Sequence, residues 1–92
     1  MDPQPSYTLQ LDNRSAPSPE LSVVVPVFRV ENYVETLIDS IASSGNGATR
    51  DWELVVVDDA SDDSTVERVI TLLKHEFRNT SASVLVAHTN AG

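Results

Sequence analysis

The chain has 92 residues, room for one small domain. With 40% apolar and 22% charged residues it has the composition of a folded globular chain rather than a disordered one. Fourteen acidic residues against six basic ones give a net charge of -8, which argues against nucleic-acid binding, where phosphates need a basic face, and against docking on anionic membranes.

Cysteine is absent, so disulfides, thiolate metal sites and cysteine nucleophiles are excluded. No apolar run approaches the roughly 18 residues that span a bilayer. The N-terminus has neither the positive start nor the apolar stretch of a secretory signal, and the expected location is cytoplasmic.

Residues 1–20 contain four of the five prolines, interspersed with polar residues, and are expected to be a flexible leader without regular elements. At Leu21 the composition changes. LSVVVPVF is a short β-branched run, which predicts a buried parallel strand. Pro26 cannot donate to a ladder, so the strand should end near Val27. A helix follows, with Val34, Leu37, Ile38 and Ile41 on one face and Asn32 with Glu35 resembling a capping box. Ser43-Ser44-Gly45-Asn46-Gly47 is expected to end it.

WELVVVDD predicts a second buried strand, apolar from Leu54 to Val57 and stopping at two aspartates. The second helix presents Val66, Val69, Ile70, Leu73 and Phe77 on one face. Ser64 with Glu67 suggests its capping box, and Asp62 and Asp63 suit its positive end. SVLVAH is the third strand. This β-α-β-α-β order predicts a Rossmann-like parallel sheet, half of a doubly wound α/β domain spanning residues 21–92.

Such sheets bind ligands beyond the carboxyl ends of their strands. Pro26-Val27-Phe28, Asp58-Asp59-Ala60-Ser61 and His88-Thr89-Asn90 reach that edge. The two aspartates can accept bonds from a ribose hydroxyl or a base N–H, help hold a divalent cation, or stand as solvated residues ahead of the next helix. They need not share one role: one can face a ligand while the other satisfies backbone amides in the turn. The turn after the first strand has no glycine, which excludes the pyrophosphate cradle of a dinucleotide site and a P-loop. A receiver domain would need its acidic pair after the first strand. Arg29 can meet a phosphate or stay solvated. Phe28 can stack on a base or pack locally. His75 and His88 lack a spaced metal partner, Ser61 and Ser64 suit turn and cap roles, and Trp52 suits packing at its strand's start.

LSVVVPVFRVENYVETLIDSI followed by WELVVVDDASDDST closely resembles the start of family 2 glycosyltransferases. The shared marks are Pro26 with Phe28, the Leu37 to Ile41 stretch, Asp58-Asp59-Ala60-Ser61-Asp62, and the terminal Asn90-Ala91-Gly92. The resemblance implies the N-terminal part of a GT-A nucleotide-sugar domain. Pro26, Val27, Phe28 and Glu31 would line the nucleotide pocket, Asp58 would contact the base, usually uracil, and Asp59 would join the nucleotide site or order the loop.

The implied partner is a UDP-sugar donor, with an unknown acceptor. Phe28 and Arg29 stand where Tyr and Asn are more usual, and Ala60 where Gly is common, so that turn should avoid a positive φ. The family's Asp-x-Asp metal motif and catalytic base are not in these residues. Mg or Mn is expected in a full-length enzyme and none in this stretch, which should then be inactive alone. The alternative is a non-catalytic module that binds a nucleotide or a partner protein. The third strand and one sheet face are expected to be partly uncovered.

Overall fold

The computed structural model describes residues 7–13, 19–48 and 51–88. Its elements are β1 (Tyr7–Asn13), β2 (Leu21–Val27), α1 (Val34–Ala48), β3 (Trp52–Asp58), α2 (Thr65–Lys74) and β4 (Ala82–Ala87). The three β-branched runs form the predicted parallel strands. β2 pairs with β3 from Leu21↔Trp52 to Val27↔Asp58, and β3 pairs with β4 from Leu54↔Ala82 to Asp58↔Val86.

Side chains alternate across a sheet, so one face collects Trp52, Leu54, Val56, Ala82 and Val84. α1 covers that face with Val34, Ile38 and Ala42, and α2 with Val69, Leu72 and Leu73, in one buried cluster. At about 25 cal/mol per Å² of apolar area, this cluster is the main source of stability.

Four expectations need correction. The segment read as leader contributes a strand: β1 runs antiparallel to β4 from Tyr7↔Ala87 to Asn13↔Ala82, giving the order β1-β4-β3-β2. Its signal was the alternation Tyr7, Leu9, Leu11 with polar Thr8, Gln10 and Asp12, hidden among prolines. The register shifts between Leu9 and Leu11. That extra residue turns Leu11 onto the core, while Leu9 stays on the other face, 46% exposed. β1 thereby covers the β4 edge that was expected to lie open. Residues 1–6 and 14–18 lie outside the described residues.

The first parallel strand, β2, is not buried but forms the sheet's edge, with Val24 60% exposed on the face without helices. Edge placement also explains why Pro26 is accommodated in a strand. α1 does not stop at the Ser43–Gly47 stretch but continues to Ala48. α2 ends at Lys74, three residues before Phe77, which packs against the core from the turn that follows.

Candidate functional site at the carboxyl edge of β2 and β3

Register sets the site. Val27 and Asp58 are paired at the ends of neighbouring strands, and the Asp59 N–H donates to the Val27 carbonyl at 3.0 Å. Pro26, Val27 and Phe28 thus meet Asp58 and Asp59 across one strand spacing. Phe28, just past the strand, is 37% exposed.

Asp58 is fully buried. Its Oδ2 accepts the Ser61 N–H at 2.8 Å and its Oδ1 accepts the Ser61 hydroxyl at 2.6 Å. A carboxylate removed from water requires such partners, and here they close the turn after β3. Among the described residues no buried side-chain polar atom lacks a partner.

The turn departs from expectation at Ala60, which takes φ 59. The side-chain closure between Asp58 and Ser61 holds the backbone there, although a residue with a Cβ pays roughly 1 kcal/mol for the left-handed region. Arg29, in the facing loop, is also left-handed at φ 52. Its N–H donates to the Ser61 Oγ at 2.9 Å, so Ser61 ties both loops to Asp58.

The Arg29 side chain is at the surface, 57% exposed, and its guanidinium is paired there. Its Nε lies 2.8 Å from one Asp62 oxygen and its Nη2 2.9 Å from the other, and its carbon lies 4.8 Å from the Phe28 ring centroid.

A second strut joins the same loops. The Val30 N–H donates to the buried Thr65 Oγ1 at 2.9 Å, and the Glu31 Oε2 accepts the Ser64 N–H at 3.1 Å. The expected Ser64–Glu67 capping box does not form, since the Ser64 side chain makes no cap bond. Glu31 instead supplies from another loop the bond to the N-cap N–H that a box glutamate would make. Asp63 accepts the Thr65 N–H at 3.0 Å. The side-chain hydrogen bond with Thr65 is the main cause holding the Asp63 carboxyl below its ordinary value of 3.8.

The remaining candidates lie elsewhere. Trp52 is buried in the core, His75 caps the C-terminus of α2, and His88 bonds Thr8 across to β1. Asn90-Ala91-Gly92 lies outside the described residues. No group of three or more His, Cys, Asp or Glu residues among the described ones is placed to hold a metal ion. Both Asp58 oxygens accept bonds from Ser61, and the side chain is fully buried. At this edge Phe28 is partly exposed and Asp59 half-buried, while Asp58 is fully buried.

The cross-loop bonds of Arg29, Ser61, Glu31 and Thr65 were not legible in sequence. The Asp-Asp-x-Ser-x-Asp spacing signals the turn but not which residues from the other loop reach it.

The family model described as Glycosyl transferase family 2 matches residues 22–92. The chain is 41% identical over 54 residues to a dodecaprenyl-phosphate galacturonate synthase of Rhizobium johnstonii, covering 59% of this chain and 16% of that protein. It is 30% identical over 56 residues to an undecaprenyl-phosphate 4-deoxy-4-formamido-L-arabinose transferase of Salmonella choleraesuis, covering 61% and 17%. It is 35% identical over 74 residues to the poly(ribitol-phosphate) beta-N-acetylglucosaminyltransferase TarS of Staphylococcus aureus, covering 79% and 12%. The chain thus spans 12% to 17% of the length of these relatives. No solved structure matches it.

Proposed function

The chain belongs to glycosyl transferase family 2, and from that premise we propose that it supplies the nucleoside half of a donor site that takes a UDP-sugar. The observation that carries this reading is the Val27↔Asp58 register, which brings the segment ending in Phe28 and the Asp58-Asp59 segment to one sheet edge. Phe28 offers its ring to the base, with Pro26 in the same segment, while Val27 packs into the core.

Asp58 and Asp59 divide the work. Sequence reading gave the base contact to Asp58, whose two oxygens both hold Ser61. In this proposal Asp58 orders the turn, and the half-buried Asp59 accepts from the base. Glu31 holds the start of α2, which keeps the two loops at a fixed separation.

Sugar transfer is assigned to the whole protein, of which these residues are the donor-binding part. Mg or Mn bound to ligands outside the described residues would neutralise the diphosphate leaving group. The names of all three relatives include a phosphate-bearing molecule, a polyprenyl phosphate or a poly(ribitol phosphate). An acceptor of that class is therefore proposed here. A cytoplasmic location belongs to the same proposal. No helix among the described residues is long and apolar enough to cross a membrane.

The test is a UDP titration of the chain followed by amide NMR. Shifts centred on Phe28 and Asp59 are expected, and Asp59→Ala should weaken UDP binding about tenfold, the loss of one good hydrogen bond. A dispersed spectrum indifferent to UDP would overturn the reading in favour of a partner-binding module.

A further inference from the structure

We propose that Arg29 is a positioning residue of this nucleotide site: clasped to Asp62 across the two loops, its guanidinium fixes the Phe28 ring as the wall on which the base stacks. The inference rests on the nucleotide-binding reading above and names a residue that this reading does not use.

Three observations carry it. The first is the geometry of the ion pair. Nε and Nη2 meet the two Asp62 oxygens at 2.8 and 2.9 Å, a planar fork that only arginine offers. The pair bridges residues 33 apart in sequence, from the loop after β2 to the loop after β3. The second is the backbone. Arg29 sits at φ 52, a conformation that costs a side-chain-bearing residue roughly 1 kcal/mol. The bond from its N–H to the Ser61 Oγ holds it there, and Ser61 is itself held by the buried Asp58. The third is the ring. The guanidinium lies 4.8 Å from the Phe28 centroid. It covers one face of the ring, and Phe28 as a whole is 37% exposed.

The Arg29 and Asp62 side chains are 57% and 69% exposed. An ion pair that open adds little to global stability. Its effect is therefore on orientation: without the clasp the Phe28 ring samples more rotamers, and the base must order it on binding. The rival role for Arg29 is direct contact with the donor's diphosphate through the guanidinium N–H groups that the Asp62 fork does not use.

The affinities of the full chain for uridine and for UDP separate these roles, measured for the wild type, Arg29→Ala, Arg29→Lys, Asp62→Asn and the Arg29→Ala/Asp62→Asn double variant. Arg29→Ala and Asp62→Asn should each weaken uridine and UDP to the same extent, about three- to tenfold, with melting temperatures unchanged. The double variant should bind no worse than either single one. Arg29→Lys should recover part of the affinity, since it keeps the cation over the ring but loses the fork. The Phe28 ring proton shifts should move in every variant without ligand.

Unchanged uridine affinity in Arg29→Ala overturns the proposal. So does a loss confined to UDP, with Asp62→Asn binding UDP more tightly, which would identify a phosphate contact. A wild-type chain that binds neither uridine nor UDP overturns the nucleotide reading and the positioning role with it. Wild-type binding with an unaffected Arg29→Ala overturns the positioning role alone.

Discussion

Gly45 lies against the indole of Trp52 so closely that a Cβ on it would stand 2.5 Å from Cε2. The contact explains why a glycine is placed inside α1, where it weakens the helix: the buried indole at the start of β3 fills the space a side chain would need. The glycine that sequence reading took as a helix end is thus a packing feature.

Gly45→Ala should consequently destabilise the chain, although alanine is the better helix former. Overpacking costs about 1–3 kcal/mol, against roughly 1 kcal/mol gained in helix propensity. Denaturant unfolding is expected to show a net loss of up to about 2 kcal/mol. In a Trp52→Leu background the same change should be neutral or stabilising, and a persisting loss would refute the steric account.

Ala60→Gly should move stability the other way. At φ 59 the alanine pays for its Cβ, and glycine does not. Offset by glycine's greater freedom in the unfolded chain, the gain should be up to about 1 kcal/mol of unfolding free energy, seen as a raised unfolding midpoint. Ala60→Val should be destabilising, and equal midpoints for glycine and valine would count against a left-handed turn.

Asp58→Ala should cost about 3 kcal/mol, because it removes two charge-assisted bonds and leaves the Ser61 N–H without its acceptor. Asp58→Asn keeps one acceptor oxygen and should lose less. Thermal unfolding of both variants checks this. A stable Asp58→Ala chain that merely fails to bind UDP would return the base contact to Asp58.

Asp63 should contribute to the acid limb of the stability curve. Its carboxyl is held below 3.8 in the folded chain, chiefly by the Thr65 side chain. A depressed folded value means that the unfolded state binds the proton first as pH falls. The contribution is therefore present above 3.8 and is lost as pH drops through the lower folded value. Asp63→Asn should flatten stability against pH below about 4 and leave the slope near neutrality unchanged, as read by unfolding at a series of pH values.

Adding manganese should change the chain's UDP affinity by less than about twofold, since Asp58 is buried against Ser61 and no group of three or more His, Cys, Asp or Glu among the described residues is placed to hold a metal ion. A strong dependence measured by calorimetry would show that the Asp58–Asp59 turn takes part in cation binding.

What the sequence determined by itself was local. Runs of valine between turn residues specify strands, and apolar residues at helical spacing specify α1 and α2, because each pattern suits only one backbone period. The Asp-Asp-x-Ser-x-Asp string likewise marks a turn at the end of β3, since its bonds join residues three apart.

The tertiary structure decided whatever depends on distant residues meeting. The pairing of Tyr7–Asn13 with β4 decided that a Pro-rich segment holds a strand, and the exposure of β2 followed from its place at the edge. The capping of α2 by Glu31 and the Arg29–Asp62 clasp join residues 33 apart. No pattern along the chain encodes that separation in space. It arises only when β2 and β3 align in register and bring their two loops to one edge.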